Sequence, residues 1–551
     1  MVPLWGPPTF TGSIHIPRGS ALAKVSHEGA RMEPPSPEPG PDAESAAETP
    51  RTRRSFVFFG ALACAAILPR AAHAQGLGRI KKLPVRKPPD QGFATRVVNE
   101  SVPALPDWMS TSARLVRRIS MGATSMEITR AKQLGYQEYL NRQLRYAEID
   151  DSVVDAVVAS KWPLISQSNE QIFATNQFTL QSQLQEATIF RATFSERQLF
   201  ERMVEFWSDH FNIAFTKVGY LKVADDRDVI RRHAIGKFRD LVQATAKSAA
   251  MLAYLDQTQS RVGAPNQNYA RELMELHTVG VDGGYTQNDV AELARVFTGW
   301  TIVGRGTFSF NPTLHDFGSK VVMGVTFPAT STSVGVDAVA EGERFIDFLA
   351  GHPTTAKFVA TKMLRWLLQA DPTPTQINVA SSAFRATGGN IRLVVRAILN
   401  EFWLAAAPAK FKRPFHFLVS SLRTVSPQVT SLTSMNSQLT AIGQPLFIYD
   451  TPDGYPDKVE YWSGNIMPRW SFSSTLAAQN SATTIRVDTT RFRTGTPDNA
   501  IDIINTEFFA GEMSLALRLA LLNYLKGAAF TDARMRETIA LALSASEFQW
   551  Y

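Results

Sequence analysis

Helical periodicity constrains this fold more than any other feature of the sequence. Apolar residues three and four positions apart fall on one face of a helix, and this spacing recurs between Asp107 and Tyr551. We therefore expect a mainly α-helical, multi-helix fold. Residues 107–551 exceed the roughly 250–300 residues that one hydrophobic core usually serves, so we expect two lobes. The clearest helical segments are Arg114–Ile119, Tyr136–Leu144, Glu196–Phe211, Phe238–Leu255, Gln287–Phe297 and Glu341–Ala350.

One segment interrupts the helical pattern. Thr307–Asn311 alternates apolar and polar residues, and Val321–Phe327 is β-branched and apolar. The two runs predict the strands of a small β-hairpin insertion around residues 305–328. His315 and Asp316 would lie on its tip or connecting loop, where functional groups concentrate, although a surface tip without function is the open alternative.

The N-terminal part of the chain reads differently. Residues 1–50 are rich in Pro, Ser, Glu and Ala, which predicts a disordered extension, and Met32 is an alternative translation start. Residues 51–74 follow the order of a signal peptide: a basic region, an apolar region and a small-residue cleavage site. Residues 75–106 then form a Pro-rich linker before the helical domain at 107–551.

The signal predicts export. Arg53 and Arg54 indicate the twin-arginine route. The apolar run Phe56–Leu68 would reach about 20 Å as a helix, too short for a hydrocarbon core of roughly 30 Å. We expect cleavage after Ala74 and a periplasmic or secreted product with no transmembrane anchor. A lipid anchor at Cys64 is the alternative. Without Cys64 the mature chain has no cysteine, which excludes disulfides and thiolate ligands.

The charge balance argues against nucleic acid as the partner. The formal net charge is +7 over 551 residues, and basic residues alternate with acidic ones in segments such as 225–232. This alternation is typical of a solvated helix face, whereas a phosphate backbone is bound by a basic stripe.

The segment Asn268–Gly280 concentrates ionisable residues. On an ideal helix Arg271, Glu272 and Glu275 share one polar stripe, while His277 falls on the apolar side. Glu272 and Glu275 are suited to act as acid and base or to ligate a hard cation, with Arg271 keeping one of them ionised. The alternative is an Arg271–Glu275 ion pair on a solvated or inter-helix face.

Three histidines form a candidate metal set. His210 and His277 lie on apolar helix faces, and His315 precedes Asp316 on the predicted loop. Neutral imidazoles with a carboxylate suit a divalent ion such as zinc or iron. Their spacing matches no recognised metal signature, so the alternative is that each is an independent core residue.

A tyrosine- and proline-rich loop is a further candidate. Tyr449–Asp457 is followed by Trp462 and Trp470, and aromatic faces of this kind can line a sugar- or polymer-binding cleft. The alternative is a rigid loop packed by its own aromatic side chains.

Several motifs resemble those of one bacterial family, which is catalogued as domain of unknown function 1800. The resemblance implies an exported, mostly helical protein whose chemistry is not established. Lys247–Met251, Gln267 and His416 depart from the family pattern. The matching segments are Glu205–Asn212, Ala253–Asp256, Asn268–Trp300, His315–Asp316 with Lys320 and Gly324, Gly351–Phe358 and Ile442–Asp457.

Two functions follow as hypotheses. The first is a metal-assisted hydrolase or related enzyme whose site combines His210, Glu272–His277 and His315–Asp316. The second is a non-catalytic envelope or surface protein that binds a partner. Because the resembled family is often encoded beside exported sulfatase-like proteins, the resemblance makes such a protein the first candidate for that partner.

Replacing Arg53 and Arg54 by lysine should block export. The twin-arginine route depends on the arginine pair, whereas a general basic region tolerates lysine. We expect the variant to remain in the cytoplasm and the exported parent to begin at Gln75 by N-terminal sequencing. Equal export of both proteins would refute the twin-arginine assignment, and a lipid-modified Cys64 would establish the anchored alternative.

Overall fold

Helices dominate the part of the chain that the structure describes, as the apolar periodicity predicts. A computed structural model describes residues 110–330 and 335–551. The predicted extension, signal and linker at 1–50, 51–74 and 75–106 lie outside the described residues. The first helices are α1 (Thr111–Ile119), α2 (Ser125–Leu134), α3 (Tyr136–Leu144), α4 (Ser152–Lys161), α5 (Asn169–Ile172), α6 (Gln177–Phe194), α7 (Gln198–His210), α8 (Phe215–Val218), α9 (Leu221–Ala224), α10 (Phe238–Ala246), α11 (Ala249–Tyr254), α12 (Gln267–Glu272) and α13 (Gln287–Val296).

The second half of the chain continues the helical pattern. Its helices are α14 (Gly335–Gly351), α15 (Pro353–Leu367), α16 (Pro374–Ala386), α17 (Ile391–Ile398), α18 (Glu401–Ala406), α19 (Pro414–Val425), α20 (Thr433–Ala441), α21 (Val459–Trp462), α22 (Ile466–Ala478), α23 (Pro497–Phe509), α24 (Leu515–Lys526) and α25 (Asp532–Ser544). Among the described residues, no helix is both long enough and apolar enough to span a membrane.

Local sequence explains several helix ends. Thr286 and Asp289 form a capping box at the start of α13, which satisfies backbone N–H groups that the first turn leaves free. The segment predicted as one helix from Phe238 to Leu255 is divided at Lys247 and Ser248 into α10 and α11. The Ser248 hydroxyl there donates a hydrogen bond to Asp225 Oδ1 at 2.8 Å.

Two hydrophobic clusters form the core of a single compact unit. The first cluster takes most of its residues from the chain between 199 and 407. The second joins α4 and α6 to the C-terminal helices from α19 onward. The described residues belong to one compact unit, so the expected division into two lobes is not seen there. The chain passes from one hydrophobic cluster to the other more than once.

The β insertion is present, but its strands pair differently from the prediction. Strand β1 (Trp300–Val303) pairs with β2 (Thr307–Phe310), and β3 (Lys320–Val322) pairs with β4 (Val325–Phe327). The prediction that Thr307–Asn311 pairs with Val321–Phe327 is therefore wrong. Tight turns close each hairpin locally; the turn between β3 and β4 has positive φ at both Met323 and Gly324, as a type I′ turn requires.

The helix after Asn268 also departs from the ideal geometry used in the sequence analysis. It is α-helical only through Glu272 and continues as a π-helix over Leu273–His277. A π-helical turn contains an extra residue, so the angular position of each later side chain shifts. The polar stripe still forms: Arg271, Glu272 and Glu275 are half-buried and His277 is buried.

A buried ion pair fixes the second hairpin to α14. Lys320 Nζ lies 2.9 Å from Glu341 Oε2, and both side chains are at most 1% exposed. Replacing Glu341 by Gln should cost about 3–5 kcal/mol in the free energy of unfolding, because it leaves a buried ammonium without its counter-charge. Urea denaturation measures this loss. As the control, Asp498→Asn breaks the exposed pair with Lys526 and should leave stability nearly unchanged. Equal losses would contradict the analysis.

Candidate active site

A polar pocket of about 570 Å³ lies beside the C-terminal end of α7. This volume is within the range of small-molecule sites, roughly 300–1,000 Å³. Segments that are far apart in sequence supply its walls. They are the end of α7 with Asp209 and His210, the face of α15 with Lys362 and Trp366, Arg413 just before α19, and the segment 453–460. We call this the Lys362 pocket.

An ion pair between Asp209 and Arg413 forms the base of the pocket. Arg413 Nη2 lies 2.5 Å from Asp209 Oδ2, and the Arg413 side chain is only 5% exposed. The guanidinium also lies 5.1 Å from the ring centroid of Trp366, a cation–π distance. Burial alone would lower the pKa of Arg413, but Asp209 and Glu205 raise it above its usual range. Arg413 therefore stays charged, and its guanidinium is the ion-pair partner of Asp209.

Lys362 is left without such a partner. No described residue accepts a hydrogen bond from its ammonium or forms an ion pair with it. Its Nζ lies 5.6 Å from the centroid of the Phe358 ring. Burial lowers the pKa of Lys362 to about 8, although Asp209 and Asp453 act in the opposite direction. The protonated form therefore still predominates at neutral pH, and the amine loses its proton near pH 8.

His210 contributes a second basic atom. Its Nε2 lies 3.0 Å from the carbonyl oxygen of His277, and because a carbonyl only accepts, Nε2 must carry the proton. The other nitrogen, Nδ1, is buried without a hydrogen-bond partner among the described residues. Burial and the charge of Lys362 hold the pKa of His210 well below its usual range. The His210 ring is thus neutral, and its one proton lies on Nε2.

The His277 ring lies next to the His210 ring. The two ring centroids are 6.3 Å apart, so the structure brings together two of the three predicted metal ligands. Burial, followed by the charge of Lys362, lowers the pKa of His277 to about 3.

His315 belongs to a different environment. Its Nδ1 donates to the Thr298 carbonyl at 2.7 Å, and its Nε2 lies 3.7 Å from Glu341 Oε2. Its ring contacts are Phe310 and Phe317, neither of which contacts the rings of His210 or His277. Across residues 110–330 and 335–551, no group of three or more His, Cys, Asp or Glu side chains is arranged to hold a metal ion.

The remaining predicted site residues also separate. Asp316 accepts two hydrogen bonds from Arg295, at 2.8 and 3.2 Å, and so braces the segment between the two hairpins. Arg271 donates to Gln287 at 3.1 Å. Burial raises the pKa of Glu272, and the neighbouring carboxylates of Glu275 and Asp453 add to this effect. One of the carboxylates that act on Glu272, that of Asp453, also lines the Lys362 pocket.

The aromatic loop is packed by its own side chains, and its role in a sugar- or polymer-binding cleft stays a prediction. The rings of Tyr455 and Tyr449 pack with their centroids 4.3 Å apart and their planes tilted by 44°. The Tyr455 hydroxyl donates to the Pro445 carbonyl at 2.7 Å, so the loop is packed by its own aromatic rings. Asn212 anchors it to the end of α7 through hydrogen bonds to the carbonyls of Tyr449 and Thr451. The following segment, 453–460, lines the Lys362 pocket.

Sequence reasoning missed Lys362 and Arg413. Both had a detectable signal. Lys362 lies four residues after Phe358 and four before Trp366, so a lysine occupies an otherwise apolar helix stripe. Arg413 follows two lysines in a segment surrounded by phenylalanines, where an isolated surface charge is not expected.

These features define a large helical protein with a polar pocket between its helices. Comparison with known families identifies it further: the family catalogued as protein of unknown function, DUF1800, matches residues 114–550. The chain belongs to this family, as its motifs indicated. Comparison with curated proteins and with solved structures gives no match. Family membership therefore leaves the activity to be inferred from the pocket.

Gly454 allows the loop to contact α7 closely. Its φ is +72°, and a Cβ there would lie 2.2 Å from the Asp209 carbonyl oxygen. Gly454→Ala should therefore destabilise the protein by more than the roughly 1–2 kcal/mol of left-handed strain alone, measured by urea denaturation. Gly263→Ala is the matched control, because Gly263 has a φ of +79° and no heavy atom within 4 Å of its Cβ position. Equal losses would show that the loop does not depend on this contact.

Proposed function

We propose that this protein is an exported hydrolase or related enzyme whose substrate binds in the Lys362 pocket. One observation carries the proposal: Lys362 lines the pocket without an ion-pair or hydrogen-bond partner among the described residues, while the nearby Asp209 is taken by Arg413. An uncompensated amine costs stability. Groups whose pKa is shifted by burial inside a cleft are typical of active sites.

In this proposal Lys362 is the general base. Its unprotonated amine accepts a proton from water or from a substrate hydroxyl, and the resulting ammonium returns a proton to the leaving group. His210 adds a neutral imidazole to the wall of the pocket. Arg413 supplies a permanent positive charge, although Asp209 neutralises much of it. The pocket therefore favours a small polar substrate with hydrogen-bond donors.

The metal-assisted form of the hydrolase hypothesis stays a prediction. His210 and His277 are adjacent, but His315 makes its contacts elsewhere. The proposed reaction therefore uses an amine as its base and does not require that these three histidines meet. Export rests on residues 51–74, and the sulfatase-like partner rests on the family resemblance; both are part of the hypothesis and await direct tests.

Labelling of lysines across a pH range tests the unusual amine. Acetic anhydride reacts with unprotonated amines, so the labelling of Lys362 should rise with a midpoint near pH 8. An added lysine peptide serves as the internal standard and should follow its ordinary midpoint of about 10.4. Mass spectrometry quantifies both. A Lys362 midpoint at the value of the standard would remove the basis of the proposal.

Substitution tests the catalytic role. In a screen of chromogenic esters, phosphoesters, glycosides and amides, any activity should fall by about 10²–10⁴-fold in Lys362→Met. Lys362→Arg should fall similarly, because arginine keeps the charge but does not give up its proton. In the parent, kcat/KM should increase with pH around 8, as the amine loses its proton. Lys357→Met is the matched control, since Lys357 is exposed on the same helix. Full activity in Lys362→Met would favour the non-catalytic binding alternative.

A further inference from the structure

A second cavity lies where the start of α19 meets the C-terminal segment of the chain. It has a volume of about 40 Å³ and shares no lining residue with the Lys362 pocket. Lys412 and His416 line one side, and Arg117, Phe548 and Tyr551 line the other. We call this the Lys412 cavity. It is separate from the pocket to which the proposed function is assigned.

Lys412 is a buried amine without a counter-charge, and this burial disfavours its charged form unless an anion binds beside it. The residue is 6% exposed, and its Nζ lies 3.7 Å from the centroid of the Phe548 ring. Within the described chain, no side chain or carbonyl oxygen forms a hydrogen bond or ion pair with that ammonium. A charge buried in this way costs several kcal/mol unless an anion or hydrogen bonds compensate it.

His416 offers a second donor. Its Nδ1 lies 3.5 Å from Nη1 of Arg202, and because a guanidinium only donates, Nδ1 is the acceptor. The proton of the neutral ring is then on Nε2, which is buried and has no hydrogen-bond partner among the described residues. One wall of the cavity therefore carries an ammonium and an imidazole N–H, both free to donate.

The nearby acidic groups are already occupied. Glu512 forms an ion pair with Arg117 at 2.7 Å, and Glu547 accepts hydrogen bonds from the hydroxyl and backbone N–H of Ser514. Besides burial, the charges that act on Lys412 are those of Arg117 and Arg469, and they hold its pKa well below the usual range. The charges that act on Lys412 are thus cationic, and the two carboxylates of the cavity lining have other partners.

We propose that the Lys412 cavity binds a small monovalent anion, such as chloride, between the Lys412 ammonium and the His416 Nε2–H. The size supports this class of ligand. A single water needs roughly 10–15 Å³ of such volume, so about 40 Å³ admits a halide or a compact planar oxyanion and is too small for an organic ligand. The bound anion would compensate Lys412 and stabilise the segment that leads into Arg413.

Thermal unfolding at constant ionic strength tests the site. Replacing sodium gluconate by sodium chloride should raise the Tm of the parent by roughly 2–4 °C in a saturable way, because only the folded chain has the cavity. Bromide, nitrate and formate distinguish halides from small oxyanions, and sulfate should have no specific effect. A parent Tm that does not respond to any of the small anions overturns the proposal.

The variant Lys412→Met provides the discriminating control. It keeps the length of the side chain and removes the charge, so its Tm should lose the chloride response and, in gluconate, equal or exceed that of the parent. Lys526→Met removes an exposed lysine and should keep the full response. An unchanged response in Lys412→Met refutes the site.

Diffraction from crystals of the parent protein tests the site without any substitution. Crystals of the parent protein soaked in sodium bromide should show an anomalous peak between Lys412 Nζ and His416 Nε2. A bromide peak confined to surface sites would identify adventitious ions only and would overturn the proposal.

Discussion

The ion pair between Asp209 and Arg413 connects the parts of the molecule on which the candidate site depends. It joins the end of α7, in the first hydrophobic cluster, to the residue before α19, which leads into the second. Trp366 and Trp462 both lie within 6 Å of the guanidinium, so aromatic rings cover the arginine, whereas the Asp209 side chain is 21% exposed. Because the Arg413 side chain is buried, it would be a costly unpaired charge without Asp209, and the pair therefore holds the end of α7 against the start of α19.

The same interaction explains why Lys362 differs from an ordinary lysine. Asp209 is near enough to raise the Lys362 pKa, yet its carboxylate is bound by the bidentate-capable arginine, which competes better than an ammonium for a carboxylate. The charge of Asp209 therefore partly stabilises the protonated form of Lys362, although the two side chains form no ion pair. The pocket combines a permanent cation, a titratable amine and a neutral imidazole, and the neighbouring groups set the pKa of each.

Much of the fold could be predicted from the sequence, because helices depend on local spacing and capping. The bounds of α3 match the prediction. The pairing of the β-strands was wrong because alternation identifies a strand but does not select its partner; the Met323–Gly324 turn selects it. The π-helical turn after Glu272 could not be predicted, since no simple residue pattern marks the change in hydrogen bonding.

The candidate site was predicted only in part, for a different physical reason. His210 and His277 lie on apolar helix faces that had to meet in a core, so their proximity followed from burial. Lys362 and Arg413 come from separate segments whose contact depends on long-range packing. A sequence shows that a charge lies on an apolar face, but it does not show whether the partner is a carboxylate, an aromatic ring or a substrate.

The π-helical turn at Leu273–His277 also bears on how this chain tolerates insertions and deletions. The turn contains one residue more than an α-helical turn. At its end the Gly280 N–H donates a hydrogen bond to the Met274 carbonyl at 3.0 Å. Loss of one residue inside it would let α12 continue as a regular α-helix, at the expense of the His277 carbonyl that fixes the His210 tautomer. Loss of one residue earlier in α12 would instead rotate the polar stripe by about 100°. A deletion at this turn would therefore remove the contact that holds the proton on His210 Nε2.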